Sequence, residues 1–326
     1  MMKTSLTRRI VVACLLPLTA IGSAQAQQNY PNRTIKIIVG YSPGGAVDII
    51  ARTIAEQLQA GLGQAVIVEN KPGGGTNIAN KLLIDSPADG YTLMLAANAL
   101  AANVSLYQPP PYELGRDITP IAQVGRVPVV LAANAQAPIA SIKDLVAQLK
   151  SKPESITYGS PGNGSTPHLG IEMFAHAAGV RFTHVPYKGG SQAMNDVIAG
   201  HIQTVAVNAL EVLPHAKTGK LKVLAALSAK RSPIYPDAPT IAESGYPGFE
   251  ASVWYALIGP KNLSPTIAGR LHQEVQRALA VPAVRERLAS SGGEVTPGSS
   301  AMLAALLDSE KQRYEKLIRT ARITPD

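Results

Sequence analysis

The sequence predicts an α/β fold in which short, mostly parallel strands alternate with covering helices. β-Branched and aliphatic runs recur between stretches whose apolar residues fall at helical spacing. Glycine-rich turns repeatedly follow a strand and precede a helix. The chain has 326 residues and is 46% hydrophobic, enough for about two domains with real cores. Its 28 glycines and 25 prolines stay below the level that marks a disordered chain.

Taken in order, Ile35–Val39 is the first expected strand, followed by a helix from about Gly45 to Leu58 with Ile49, Ile50, Ile54 and Leu58 on one face. Ala65–Glu69 is a second strand, Thr76–Asp85 a second helix and Tyr91–Ala96 a third strand. Pro128–Ala132 begins a second such series. In the helix Ser141–Lys150, Ser141 stands as N-cap three residues before Asp144. Thr157–Gly159, Phe182–Val185, Thr204–Val207 and Leu221–Leu227 read as further strands, with helices at His168–Ala178 and Ser191–Ala199. A Pro/Gly-rich stretch, Ser232–Phe249, leads to the strand Ala251–Ile258. Helices at Thr266–Ala280, Ala283–Ser290 and Ser299–Arg322 then complete the chain.

The first 26 residues carry an export signal. Lys3, Arg8 and Arg9 precede the apolar run Ile10–Ile21, and Ala24-Gln25-Ala26 is a small-x-small cleavage site. That run is too short to cross a bilayer as a helix. Cys14 sits in a lipoprotein-like context, but cutting there would leave only Ile10–Ala13 as the apolar stretch. Cleavage after Ala26 leaves 300 residues, removes three cations and lowers the net charge from +8 to +5. It also removes the one cysteine, and with it any disulfide, thiolate or cysteine metal site. Acids and bases are interleaved along the last helix and aromatic residues make up only 5%, so nucleic acid is not expected as a partner.

Three strand-to-helix loops could carry chemistry. Gly40-Tyr41-Ser42-Pro43-Gly44 fits the G-x-S-x-G turn of exported serine hydrolases, the rival reading. Pro43 has no N–H to stabilise an oxyanion, and no upstream strand could supply the second donor. Anion capture suits this loop better. Gly44 and Gly45 let the backbone approach a ligand, Ser42 adds a hydroxyl, and the N–H groups of the next helix point at the site. Asp48 either complements the helix dipole or accepts from a ligand amino or amide group. The loop Asn70–Asn77 has no Walker lysine and reads as a supporting turn. Tyr158–His168 gathers hydroxyls, glycines and N–H donors, which suits a carboxylate or phosphate at the carboxyl end of a strand. His168 and Glu172 share a helix face, but no third ligand is evident, so neither a metal nor a cofactor is expected.

Tyr41-Ser42-Pro43-Gly44-Gly45-Ala46-Val47-Asp48-Ile49-Ile50-Ala51-Arg52 resembles the P-G-G-x-x-D-x-x-A-R signature of the tripartite tricarboxylate transporter receptors, also called Bug proteins. Val68–Lys71, Asp89–Leu93, Val185–Gly189, Pro239–Gly245 and the S-x-G-x-G-S-x-x-H-L loop resemble the same family in the same order. Gly73-Gly74-Gly75 departs from it, since the family usually has an alanine there. The resemblance implies a monomeric, two-lobed periplasmic binding protein of the type II, Venus-flytrap kind, each lobe a mostly parallel sheet flanked by helices. It implies closure on a small organic acid or amino-acid-like ligand, delivered to membrane permease subunits, without catalysis. A receptor feeding a sensor is a third possibility.

Carried over by position, Ser42, Gly44, Gly45 and Asp48 would contact ligand from lobe one, and Ser160, Gly164, Ser165 and Thr166 from lobe two. Asn98 and Asn208, just past strand ends, join them. Lobe one would comprise residues 27–127 and 253–326, and lobe two residues 128–252.

Overall fold

The computed structural model describes residues 30–325, so the expected leader and its Cys14 lie outside the described residues. The first strand, β1 (Ile35–Val39), is buried on both faces. Ile35, Ile37 and Val39 enter one apolar cluster and Ile38 the opposite one, as alternation along a strand requires. The helix α1 (Ala46–Leu62) buries Ile50, Ile54, Leu58 and Leu62 at four-residue spacing. Leu62 carries it one turn past the expected end, and Gly63 stops it in the left-handed region at φ 66°. Then come β2 (Val66–Asn70), a 3-10 turn at Gly74–Thr76, α2 (Asn77–Ile84) and β3 (Thr92–Ala97).

Two helices follow that the sequence reading did not anticipate, α3 (Ala99–Leu106) and the single turn α4 (Leu114–Asp117). α3 is buried almost all round, so its apolar residues mark no face and leave no helical period.

The next strand, β4 (Ile118–Asn134), has 17 residues, far more than the expected Pro128–Ala132. Its first half is interrupted in sequence by Pro120, Gln123, Gly125 and Arg126, with register shifts near Pro120–Ala122 and Gln123–Gly125. It leads into α5 (Ile142–Ser151), where the Ser141 hydroxyl accepts from the Asp144 N–H at 3.1 Å. β5 (Thr157–Ser160), α6 (Thr166–Ala178), β6 (Thr183–Pro186), α7 (Gly190–Ala199), β7 (Thr204–Asn208), α8 (Ala209–Lys217) and β8 (Leu221–Ala226) complete the second series. The chain then returns through β9 (Ser252–Pro260) to α9 (Pro265–Ala280), α10 (Pro282–Ala289), the short β10 (Glu294–Val295) and α11 (Ser300–Ala321).

The strands run in the order β2-β1-β3-β9-β4-β7-β5-β6, with β8 and β10 also on β4. Parallel ladders join β1 with β2 and β3, and β5 with β6 and β7. The centre is antiparallel because β4 and β9 are returning strands. β4 pairs β9 from Ile118 to Pro128, then pairs β7 and β8 from Val129 onwards. The architecture is therefore two-lobed: β1–β3 and β9 belong to one sheet, β5–β8 to the other, and β4 runs through both. The C-terminal helices return to the first sheet, α9 against α1 and α11 against α3.

Candidate binding cleft

The loop between β1 and α1 is held by one buried carboxylate. Asp48 accepts from the Gly44 N–H at 3.0 Å, from the Arg52 guanidinium at 3.0 and 2.9 Å, and from the Asn70 amide at 2.9 Å. The Asn70 amide also reaches the Tyr41 carbonyl at 3.0 Å. Burial alone would push the Asp48 carboxyl up. The Arg52 fork, the Gly44 N–H and the Asn70 amide outweigh that and hold it below the ordinary aspartate range. Asp48 and Arg52 thus fix the shape of the loop, and Gly44 takes the turn at φ 82°.

The facing loop, between β5 and α6, is built in the same spirit. The Ser160 hydroxyl accepts from the Gly162 N–H at 3.1 Å and lies 2.7 Å from His184 Nε2. The Ser165 hydroxyl caps α6 by accepting from the His168 N–H, and His168 Nδ1 accepts from the Gly164 N–H at 3.2 Å. His168 is buried and stacks on His184 at 4.4 Å. Burial first, and then His184, push it well below its ordinary value, so it is neutral at physiological pH.

The lobes touch directly across the cleft. The Ser42 N–H and hydroxyl donate to the Lys188 carbonyl at 2.9 and 3.1 Å, and the Ser191 hydroxyl donates to the Pro43 carbonyl at 3.1 Å. The arrangement is closed. Behind these contacts lies a narrow cavity of about 20 Å³, walled from both lobes. Gly45, Ala46 and Val47 from the start of α1 face Ser165 and Thr166 from the start of α6. Tyr41, Asn208 and Glu211 complete its polar wall. Tyr41 and Pro161 also border an outer cleft that runs along Gly73–Gly75 and Tyr187–Lys188.

Of the ten residues expected to contact ligand, Gly45, Ser165, Thr166 and Asn208 line the cavity. Ser42 bridges the lobes at its edge, and Gly44, Asp48, Ser160 and Gly164 shape the loops. Asn98 is placed elsewhere. Its amide donates to Glu310, to the Tyr314 hydroxyl and to the Ser252 carbonyl, and its Oδ1 accepts from the Trp254 N–H. It ties α11 to the start of β9.

Glu211 escaped the sequence reading. It lies in the first turn of α8, a helix the sequence reading did not anticipate, and only the fold turns its carboxyl into the cavity. Among the described residues, no His, Cys, Asp or Glu cluster could hold a metal ion.

A two-lobed α/β chain with a cavity between its lobes has the architecture of a solute-binding protein. The comparisons agree. The sequence pattern of the tripartite tricarboxylate transporter family receptor matches residues 50–323. BugT of Bordetella pertussis is 36% identical over 318 residues, covering 97% of this chain and 98% of that protein. The solved structure of the periplasmic binding protein BugD superposes with a TM-score of 0.87 at 32% identity, covering 91% of this chain and 100% of that one. MatC from Rhodopseudomonas palustris, solved with bound malate, gives 0.85 at 28% identity over 89% and 100%. An R. palustris protein solved with adipate gives 0.87 at 32% over 91% and 100%. The chain belongs to the tripartite tricarboxylate transporter receptor family.

Proposed function

We propose that the protein is a periplasmic, monomeric receptor that closes on a small organic acid and presents it to the permease subunits of a tripartite tricarboxylate-type transporter, without catalysing a reaction. The observation that carries this reading is the cavity itself. It is walled by loops of both lobes and its lining contains no Arg, Lys or His. A carboxylate there is held by backbone N–H groups at the start of α1 and by hydroxyl and amide groups, not by a counter-charge.

Relatives solved with malate and adipate support a small organic acid as the ligand. The switch of β4 from β9 to β7 and β8 supports lobes of residues 27–127 with 253–326, and 128–252. The hydrolase reading gains nothing from Ser42, whose hydroxyl is engaged by a carbonyl and followed by Pro43.

A thermal-shift panel of di- and tricarboxylates, amino acids, amides and aromatic acids tests the proposal. A true ligand at about a hundred times its Kd adds about 2.7 kcal/mol, several degrees of Tm. The expected result is a shift confined to one chemical class of acid. A panel in which no acid shifts Tm refutes the proposal.

A further inference from the structure

Glu211 is the most unusual group in the cavity. One oxygen, Oε1, accepts from the Asn208 amide at 3.1 Å. The other, Oε2, is inaccessible to solvent and has no hydrogen-bond partner among the described residues. It packs on the bare Cα of Gly190 across from Gly45, where a side chain at Gly190 would collide with it. A buried acceptor left unsatisfied is costly, and a buried carboxylate without a counter-ion more so. Burial pushes the Glu211 carboxyl up, with the Asn208 amide and the backbone N–H groups of Ala46 and Asn208 only partly opposing it. The titratable groups facing it, Tyr41 and Tyr255, carry no positive charge, and none of the cavity's residues is a cation. The other acid near the site, Asp48, has its oxygens taken by Gly44, Arg52 and Asn70 and cannot serve a ligand.

We infer that Glu211 is a specificity-determining residue that selects an acid also bearing a nitrogen donor, an ammonium or amide N–H, which donates to Oε2. Such a ligand places its carboxylate at the N–H groups opening α1 and its donor on Glu211, so neither charge is left alone. A plain diacid would set a second carboxylate against Glu211 in a cavity with no cation, which disfavours it. The inference rests on the receptor reading above and names the substrate class within it.

The test uses matched pairs that differ only in the amine: aspartate with succinate, and glutamate with glutarate. Each is titrated by calorimetry into the leaderless protein and into Glu211→Gln. The wild type is expected to favour the amino acid of a pair by at least about tenfold, the effect of one charge-assisted hydrogen bond. Glu211→Gln, which keeps the shape and loses the charge, is expected to erase that preference while binding the plain diacid as well as or better than wild type.

Equal binding of both pair members by the wild type overturns the inference and leaves the receptor reading intact. So does a preference for the amino acid that survives in Glu211→Gln. If neither member of either pair binds, the inference is overturned, while the broader panel above decides the receptor reading separately.

Discussion

At Asp48 one carboxylate receives a backbone N–H, a guanidinium fork and an amide, and in return fixes a loop that has no regular structure of its own. Because its proton affinity is lowered in the folded state, Asp48 stabilises the protein above the ordinary aspartate value of 3.8 and loses that effect as pH falls below it. Asp48→Asn is therefore expected to cost about 1–2 kcal/mol near neutral pH, the lower range for charged hydrogen bonds because Arg52 is half exposed. The difference in Tm between variant and wild type should shrink as pH drops through 3.8. A gap independent of pH would mean that the charge on Asp48 does not hold the loop. The sequence singled out an acid at this position through its place in the first helical turn and through the resemblance of the segment to the receptor signature. It did not show that the acid is engaged by its own loop, because one of the partners, Asn70, comes from another strand. Glu211 is the converse case: unremarkable in its helix, and singular only once Gly45 and Gly190 are brought beside it.

Among the elements, the loops that carry the glycines decide how closely the lobes approach. A Cβ placed on Gly189 would stand 2.9 Å from the Ser42 nitrogen and 3.0 Å from its Cβ, a collision between backbones of opposite lobes that no side-chain rotation relieves. Gly189 is extended, so alanine suits its local backbone. Gly189→Ala is expected to leave the Tm of the ligand-free protein within a degree or two while weakening ligand binding about tenfold or more, because only the closed form is strained. Calorimetry with the ligand found in the acid panel measures this, and unchanged affinity would show that the Ser42–Lys188 contact is not part of the bound state. Helices with one apolar face and strands with short aliphatic runs were readable from sequence, α1, α5 and β1 among them. The helix α8 was missed as well, and two of the other misses have causes visible in the residues. α3 is buried all round and shows no period, and the first half of β4 carries Pro120, Gly125 and Arg126, which disguise a strand paired on both sides.

Across the whole molecule, the two lobes meet through β4, β9 and a few hydrogen bonds over the cleft. Each of those bonds contributes only about 1 kcal/mol, so a ligand has ample leverage to shift the balance between open and closed forms. Small-angle scattering is expected to show a smaller radius of gyration with saturating ligand than without. Identical curves would contradict bending where β4 changes partners, at Pro128–Val129.

The path of β4 and β9 also orders the molecule's assembly. Leu95 on β3 pairs with Leu257 on β9, so the inner edge of the first sheet stays open until a segment some 160 residues downstream arrives. The intervening chain, by contrast, holds β5 to β8 and can fold on contacts closer in sequence. Closing so long a loop is paid for in chain entropy before the β3–β9 ladder returns anything, which slows folding. The lobe encoded first is thus the last to be completed, and until then its exposed strand edge is the part of the nascent protein most in need of protection from other chains.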